Sequence, residues 1–495
     1  MSNNLISIFT QLINIFFLLL INRFFYQEFG LFFLGLYNAA VIFVQFILIF
    51  SDFGISTSLT HQIAKYRNTS TDYVIKLAQS GFFISIIIFI FFIIFLKYLL
   101  QNNTFLQTLN IENFENYVII YFIITGMLIA IPRNALGAIL MGFNLPHIWS
   151  FLNLFSNFIN IFGLLITLYF KFDNFVIGYV YIGTNLISFL MFVVCIIYYT
   201  NYKILIAKFN FRSVAIIFNY SSKIYLGSLI SFFSSFIDRI LVFSQISINY
   251  LGIYSIIHSV SQKIEIVGSS VAVTIFPELT SDFNKSKEQF IRNSKNWLEF
   301  TNFMSLNIGI LIYFLSDYIY YFIFSKLPDN ETKIISLIII LAYIIKSICN
   351  LTIWIISSFN KPQIQIYYGI ISLLSYLIIV LFFFNNLKVE IVALAFLFSN
   401  LLSLIFLTKF MNKIFSSVNF INIFRKLIFF AFYSVIYLVF SYLLFHFFSK
   451  SIFNGLFIYL SYLAFLWFLF FRTKLLSNYK DNEIIKFILM KLKFY

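Results

Sequence analysis

Four basic residues lie inside long apolar stretches of the sequence and are candidates for a functional role: Arg133, Arg239, Lys263 and Lys346. A charge in the middle of a membrane helix costs roughly 2.5–3.5 kcal/mol on insertion scales unless it faces protein or water. Cations that converge on a water-accessible space would bind an anion, most naturally a phosphate or diphosphate, through charge-assisted hydrogen bonds. The sequence therefore predicts an anion site for an amphiphilic ligand.

A purely structural role is the alternative explanation for these cations. Many basic residues in membrane helices pair with acidic neighbours, or extend their aliphatic side chains so that the charged group reaches the membrane surface. Arg239 and Lys263 each have an acidic residue within two positions, so both explanations remain open for them. Arg133 and Lys346 have no acidic residue next to them in the sequence. For these two, a functional role is favoured.

Acidic residues also occur within the apolar stretches, and they are Asp52, Asp238, Glu265 and Glu278. In a transporter they could bind a coupling ion, H⁺ or Na⁺, or they could neutralise the cations. The four His are dispersed and the two Cys lie one in each half of the chain. No metal site, disulfide, catalytic residue or cofactor is therefore expected.

The composition indicates an integral membrane protein, because 61% of the 495 residues are hydrophobic and only 10% are charged. The net charge of +15 comes from Lys and Arg scattered through short loops. A nucleic-acid partner would require a compact basic face, so none is expected.

Apolar runs long enough to cross a membrane, about 20 residues each, number about fourteen. They cover residues 6–25, 31–62, 76–100, 116–142, 148–170, 174–200, 221–246, 249–279, 298–325, 333–358, 363–384, 389–411, 426–447 and 453–472. The loops on one side carry roughly three times as many Lys and Arg as the loops on the other side. Both termini are therefore predicted to be cytoplasmic.

Three short motifs each recur after nearly the same number of residues, 216 or 217. The pairs are Ile21–Arg23 with Ile237–Arg239, Leu34–Tyr37 with Leu251–Tyr254, and Phe143–Pro146 with Phe359–Pro362. This spacing favours an internal duplication over chance. It aligns Arg23 with Arg239, which makes Arg23 a fifth candidate cation, and it places Lys346 one helical turn from the equivalent of Arg133.

A repeat that contains six helices leaves both copies in the same orientation, so the predicted fold is all-α with two parallel six-helix lobes. The predicted segments are an N-terminal lobe (1–217), a C-terminal lobe (218–415), two additional membrane helices (416–475) and a cytoplasmic tail (476–495). The tail could form an interfacial helix or a frayed end.

Motifs near the predicted second, seventh and eighth helices resemble those of a known family. They are Ser51-Asp52-Phe53-Gly54 followed by Gln62-Ile63-Ala64, Asp238-Arg239 with Leu251-Gly252-Ile253-Tyr254, and Phe276-Pro277-Glu278-Leu279. In these motifs and in its layout up to residue 415, the chain resembles the polysaccharide and O-antigen flippases (Wzx-like) of the multidrug/oligosaccharidyl-lipid/polysaccharide exporter superfamily.

This resemblance implies a V-shaped pair of lobes around a cavity lined by basic residues. It implies transport of an undecaprenyl-diphosphate-linked oligosaccharide, such as an O-antigen repeat unit of lipopolysaccharide, to the outer leaflet of the bacterial inner membrane by alternating access. Arg133, Arg239 and Lys346 match the cavity cations of such families by position, and Asp52 matches the aspartate of their D-x-G element. Polysaccharide polymerases or ligases are the candidate protein partners.

A multidrug exporter and a polysaccharide polymerase or ligase are the alternatives to the flippase. A multidrug exporter of the same architecture would favour an acidic cavity for cationic drugs, whereas the candidates without acidic neighbours are basic. A polysaccharide polymerase or ligase, which is an enzyme, would be expected to carry a sizeable polar external loop with catalytic Arg or His. The sequence has no such loop, so a transporter is predicted rather than an enzyme.

Overall fold

The computed structural model describes most of the chain as far as Ile414. The described residues are 2–66, 71–101, 114–143, 145–170, 172, 174–200, 210–265, 268–269, 279, 286–358 and 363–414. Within these ranges the chain forms helices and short turns, with no β-strand. The two additional helices predicted at 416–475, the tail at 476–495 and the candidate Glu278 lie outside the described residues.

Thirteen α-helices follow one another along these residues. They are α1 (Ser2–Asp52), α2 (Ile55–Tyr66), α3 (Thr71–Gln101), α4 (Phe114–Leu128), α5 (Ala130–Gly142), α6 (Pro146–Tyr169), α7 (Asn174–Thr200), α8 (Phe211–Leu241), α9 (Ile248–Ser261), α10 (Lys287–Phe324), α11 (Asn330–Ser358), α12 (Ile364–Phe382) and α13 (Val389–Ile414). A π-helical turn (Val242–Ile246) follows α8, and short 3₁₀ turns occur at Gln262–Ile264 and Phe384–Asn386.

The helix α1 is long enough for two membrane-crossing segments. It has 51 residues, which at 1.5 Å per residue is about 77 Å, more than twice the thickness of the hydrocarbon core. At Gly30 the backbone leaves helical geometry, with φ 78° and ψ −175°, a region that glycine enters far more readily than other residues. The break falls between the first and second predicted helices.

Two of the predicted apolar runs are each divided into two helices, and residues at each break explain the division. The predicted run 31–62 is divided because Phe53 and Gly54 both have positive φ, 45° and 73°, and α2 then begins at Ile55. The run 116–142 is divided between α4 and α5 at Ile129. Pro132 explains this second break, since it has no N–H to donate to the carbonyl four residues earlier.

Ten helical stretches in the described part of the chain are long and apolar enough to cross a membrane, and the first of them spans Phe16–Asp52 with its internal break. These stretches account for the predicted runs up to residue 411, except that the eighth run, 249–279, is described continuously only as far as Glu265. The chain is an all-α integral membrane protein.

The contacts divide the chain into two compact units. The first contains Met1–Ile256, Ile319–Leu327 and Phe383–Val392, and the second contains Ile257–Tyr318, Pro328–Phe382 and Ala393–Tyr495. Each unit has its own apolar core, which includes Phe25 and Leu34 in the first and Cys349 and Leu407 in the second. The lobe boundaries predicted from the repeat remain a prediction.

Two copies of one repeated motif pack directly against each other in the first unit. A Cβ added to Gly35 would overlap the Ile248 carbonyl oxygen, and one added to Gly252 would lie 3.2 Å from the Gly35 nitrogen. Small residues allow membrane helices to approach this closely. The shared Leu-Gly-x-Tyr motif therefore has a packing role in α1 and α9.

Candidate functional site

Arg133 lies in the first turn of α5, a helix that packs against α2, α3, α6 and α7. Its guanidinium points toward α6 and α7, where Nη1 donates hydrogen bonds to the hydroxyls of Ser156 (2.9 Å) and Ser188 (3.3 Å). Both serines are buried. Two neutral hydroxyls on different helices therefore fix the position of this cation.

Arg133 is not neutralised by a described carboxylate, and some of its N–H donors are free to bind a ligand. No described carboxylate forms an ion pair with it, and its Nε is buried without a hydrogen-bond partner among the described residues. A guanidinium has five N–H donors in a planar fork, and the two serines use only Nη1. The remaining donors suit an acceptor with several oxygens, such as a phosphate.

A cavity of about 250 Å³ within the first unit opens beside Arg133. Its polar lining comes mainly from side-chain amides and phenols: Gln45, Asn157, Asn160, Asn185, Tyr37 and Tyr181. Amides offer donors and acceptors together, and this is the capacity needed to bind hydroxyl groups. Arg133 is the only residue of the lining that carries a formal charge.

Hydrogen bonds hold several of these lining groups in place. The Tyr181 hydroxyl donates to that of Tyr37 at 3.2 Å, and the amide of Asn185 donates to the Tyr181 carbonyl at 2.8 Å. Thr184 donates its hydroxyl hydrogen to the Asn160 side chain. Much of the lining is therefore preorganised, which lowers the entropy lost on binding a ligand.

Lys346 has different surroundings, in the second unit. It lies on α11 with 8% of its surface exposed, and its Nζ is 3.5 Å from Glu265 Oε2. The other carboxylate oxygen, Oε1, accepts a hydrogen bond of 2.7 Å from the amide of Asn350. Lys346 is thus paired with a carboxylate that is distant in the sequence, and Glu265 pairs with Lys346 rather than with nearby Lys263.

Aromatic residues and a histidine surround this ion pair. Nζ of Lys346 lies 5.4 Å from the ring centroid of Tyr343 and 5.9 Å from that of Phe396. His258 Nδ1 lies 3.1 Å from the Tyr343 hydroxyl. The sequence alone gave no indication that His258, Tyr343 and Asn350 belong to this cluster. Helical spacing could have indicated the last two, since residues 343, 346 and 350 lie on one face of α11.

Asp238 and Arg239 contact each other and their own helix, and Arg239 Nε is buried without a hydrogen-bond partner among the described residues. Asp238 is fully buried and accepts hydrogen bonds from the Arg239 backbone N–H (2.8 Å) and from the Tyr254 hydroxyl (3.2 Å). The Arg239 side chain donates to the Ser235 carbonyl at 2.9 Å, and its Nε lies 3.9 Å from Asp238. These contacts give the pair a structural role in α8, while cargo binding by Arg239 remains a prediction.

The two arginines aligned by the repeat share one type of contact. The guanidinium carbon of Arg23 lies 4.5 Å from the ring centroid of Phe322, and that of Arg239 lies 4.1 Å from the ring centroid of Phe236. Arg23 also donates from Nε to the side chain of Gln27 at 3.3 Å. Cation–π contacts of this kind stabilise an arginine in a poorly hydrated position.

Asp52 caps the start of α2. Its Oδ1 accepts hydrogen bonds from the Ser56 backbone N–H (3.1 Å) and from the Ser56 hydroxyl. This arrangement satisfies one of the free N–H groups at a helix start, so the D-x-G element builds a turn. Ion coupling by Asp52 remains a prediction.

Lys263 lies in the 3₁₀ turn at residues 262–264 and is partly exposed. It forms no ion pair with any described residue. The described residues contain no group of three or more His, Cys, Asp or Glu that could hold a metal ion.

Similarity to known proteins indicates the family to which this chain belongs. The family model for "Polysaccharide biosynthesis protein" matches residues 21–327, which is more than half of the chain. No curated protein shows significant sequence similarity to the chain.

Solved structures resemble the fold closely at low sequence identity. The lipid II flippase MurJ in an inward closed conformation has a TM-score of 0.72 and 17% identity, covering 95% of this chain and 100% of that one. An inward-facing multidrug resistance MATE transporter has a TM-score of 0.66 and 12% identity, covering 83% and 94%.

A transporter from Pyrococcus furiosus, described as having a binding pocket of reverse polarity, has a TM-score of 0.58 and 12% identity, covering 84% and 94%. It belongs, like the MATE transporter, to the multidrug/oligosaccharidyl-lipid/polysaccharide exporter superfamily. At these identities the structural matches establish the fold, which is that of flippases and transporters. The match over residues 21–327 shows the family, and the chain belongs to the polysaccharide biosynthesis proteins with this transporter fold.

Proposed function

We propose that this protein is a flippase for a lipid-linked oligosaccharide, in which Arg133 binds the diphosphate that joins the sugar to its lipid. The proposal rests on the surroundings of Arg133, whose guanidinium donates hydrogen bonds to two neutral serines beside a cavity lined by amides. The cargo we propose is an undecaprenyl-diphosphate-linked oligosaccharide such as an O-antigen repeat unit. It crosses the bacterial inner membrane by alternating access.

The charge of the cavity favours an anionic cargo. Among its lining residues Arg133 carries the only formal charge, so a cationic drug would meet repulsion and no acidic partner there. Electrostatic interactions are stronger in a poorly hydrated site than in water. A diphosphate offers several oxygens to the free donors of a guanidinium, and this geometry supports the flippase over a multidrug exporter of the same fold.

The amides beside Arg133 suit the part of the cargo next to the diphosphate. Asn157 and Asn160 on α6 and Asn185 on α7 lie within one cavity, where they can donate to and accept from sugar hydroxyls. The volume of about 250 Å³ is below the roughly 300–1,000 Å³ of pockets for drug-sized ligands. We infer that the cavity binds the linkage region, while further sugars lie outside it.

The remaining features of the proposal concern the type of cargo, the orientation of the chain, the coupling ion and the protein partners. Membership of a polysaccharide biosynthesis family and the likeness to a lipid II flippase support a lipid-linked sugar as cargo. We place both termini in the cytoplasm, with H⁺ or Na⁺ as the coupling ion and polysaccharide polymerases or ligases as partners. Glu265 is one candidate for ion coupling, because it contacts both the buried Lys346 and Asn350.

A deletion strain tests the proposed function. Loss of the gene should abolish the surface polysaccharide and leave lipid-linked oligosaccharide on the cytoplasmic leaflet, as measured by lipid extraction and by accessibility to an external glycosidase. The wild-type gene should restore both. An unchanged surface polysaccharide together with altered drug susceptibility would reject the flippase and favour the multidrug exporter.

A further inference from the structure

A second polar cavity lies in the first unit, away from the residues that surround Arg133. Its volume is about 540 Å³, and the lining includes Tyr66, Tyr73, Lys76, Asn210, Arg212 and Ser213. These residues come from the end of α2, the first turns of α3 and the start of α8. The proposed transport function uses none of them.

The cavity has a net positive charge. Lys76 and Arg212 are both exposed, and neither forms an ion pair with any described residue. Asp72, one turn before Lys76, is also outside any ion pair in the described chain. Two cations that share one concave surface without a carboxylate partner form a site for an anion.

Local contacts position the side chains that form the walls of the cavity. The rings of Tyr66 and Tyr73 pack edge to face, with centroids 5.0 Å apart and an interplanar angle of 83°. Asn210 caps α8 by accepting a hydrogen bond of 3.2 Å from the Ser213 N–H. The positive end of the α8 dipole adds to the attraction that Lys76 and Arg212 exert on an anion.

The α3 wall of this cavity lies at the end of a candidate membrane-crossing stretch, and Arg212 lies outside the candidate stretch of α8, which begins at Tyr225. The membrane-crossing stretch of α3 begins at Asp72, so Tyr73 and Lys76 lie at its end. Tyrosines and basic residues are typical of the membrane–water interface, and basic pockets at that level bind anionic headgroups. From the distribution of Lys and Arg, this end is predicted to face the cytoplasm.

We propose that Lys76 and Arg212 bind the phosphate of an anionic membrane lipid, such as phosphatidylglycerol, in this cavity. The two cations bind the phosphate oxygens, and the tyrosines cover the glycerol region. The acyl chains extend along α3 into the bilayer. This inference does not depend on the identity of the transported cargo.

Native mass spectrometry of the full-length protein in detergent tests the site. The protein is titrated separately with phosphatidylglycerol, phosphatidylcholine and inorganic phosphate, and the double variant Lys76→Gln/Arg212→Gln is compared with wild type. Each lost charge should weaken phosphatidylglycerol binding roughly fivefold, so about 25-fold in the double variant. Binding of phosphatidylcholine should not change.

The matched control is Lys97→Gln/Lys388→Gln, which removes two exposed lysines that do not line the cavity. All four substitutions remove exposed charges, so folding should persist and can be checked by size-exclusion chromatography. Equal phosphatidylglycerol binding by the two double variants would overturn the proposal. Loss of inorganic phosphate binding alone would keep the anion site but reject a lipid as its ligand.

Discussion

Arg133 and Lys346 are basic residues on membrane helices that the repeat aligns within one turn, yet their partners differ in charge. Arg133 donates to Ser156 and Ser188, whereas Lys346 lies 3.5 Å from Glu265. A neutral partner positions a cation and leaves its charge available to a ligand. A carboxylate neutralises the cation and stabilises it against burial. The comparison favours Arg133 for binding and Lys346 for structure or coupling.

The largest expected effect would come from breaking the ion pair of the second unit. Glu265→Gln would leave Lys346 buried beside a neutral amide, so the free energy of unfolding should fall by about 3–5 kcal/mol. Thermal unfolding in detergent measures this loss. The double variant Glu265→Gln/Lys346→Met should recover most of it, and failure to recover would show that Glu265 stabilises the unit through Asn350 instead.

Truncating Arg133 tests whether this arginine binds the cargo, and the measured quantity is the rate of transport. Arg133→Ala should lower the rate of flipping by roughly 30-fold or more, because losing one partner of a buried charged contact costs about 2–5 kcal/mol. Proteoliposomes with a polyprenyl-diphosphate-linked glycan measure the rate. Arg133→Lys should retain part of it, and Lys97→Ala is the control. Full transport by Arg133→Ala at a normal protein level would remove Arg133 from the cargo site.

The two serines that position Arg133 should have smaller effects. Ser156→Ala removes the shorter hydrogen bond, 2.9 Å against 3.3 Å for Ser188. It should reduce transport roughly tenfold, since a hydrogen bond to a charged group contributes about 1.5 kcal/mol or more. The same transport assay applies, with Ser188→Ala expected to be milder. A stronger effect of Ser188→Ala would mean that the guanidinium turns toward α7 during transport.

The smallest expected effect is a gain in stability. Arg133→Met removes a partly buried cation that has no described carboxylate partner, so the free energy of unfolding should rise by about 1 kcal/mol. Lys346→Met, by contrast, should lower it, because Glu265 is left without its cation. Thermal unfolding of the two variants side by side sharpens the comparison. A loss of stability in Arg133→Met would indicate a structural role for the arginine.

Local sequence determined the helices, their breaks and the membrane class of this protein. An apolar run of sufficient length crosses the membrane whatever lies beside it, since unpaired backbone groups are too costly in lipid. The breaks at Gly30 and near Pro132 also follow from local backbone chemistry. The motifs near Asp52, Asp238 and Pro277, together with the layout of the helices, indicated the family that the match over residues 21–327 established.

Only the tertiary structure decided that Glu265 pairs with Lys346 and that Arg133 has no described carboxylate partner. Glu265 lies two residues from Lys263, but side chains two apart on a helix point in different directions, and Lys346 reaches the carboxylate from α11. Ser156 and Ser188 carry no charge and occur on two other helices, so no sequence pattern connected them to Arg133. The cost of burying a charge is local, whereas the groups that compensate for it are brought together by helix packing.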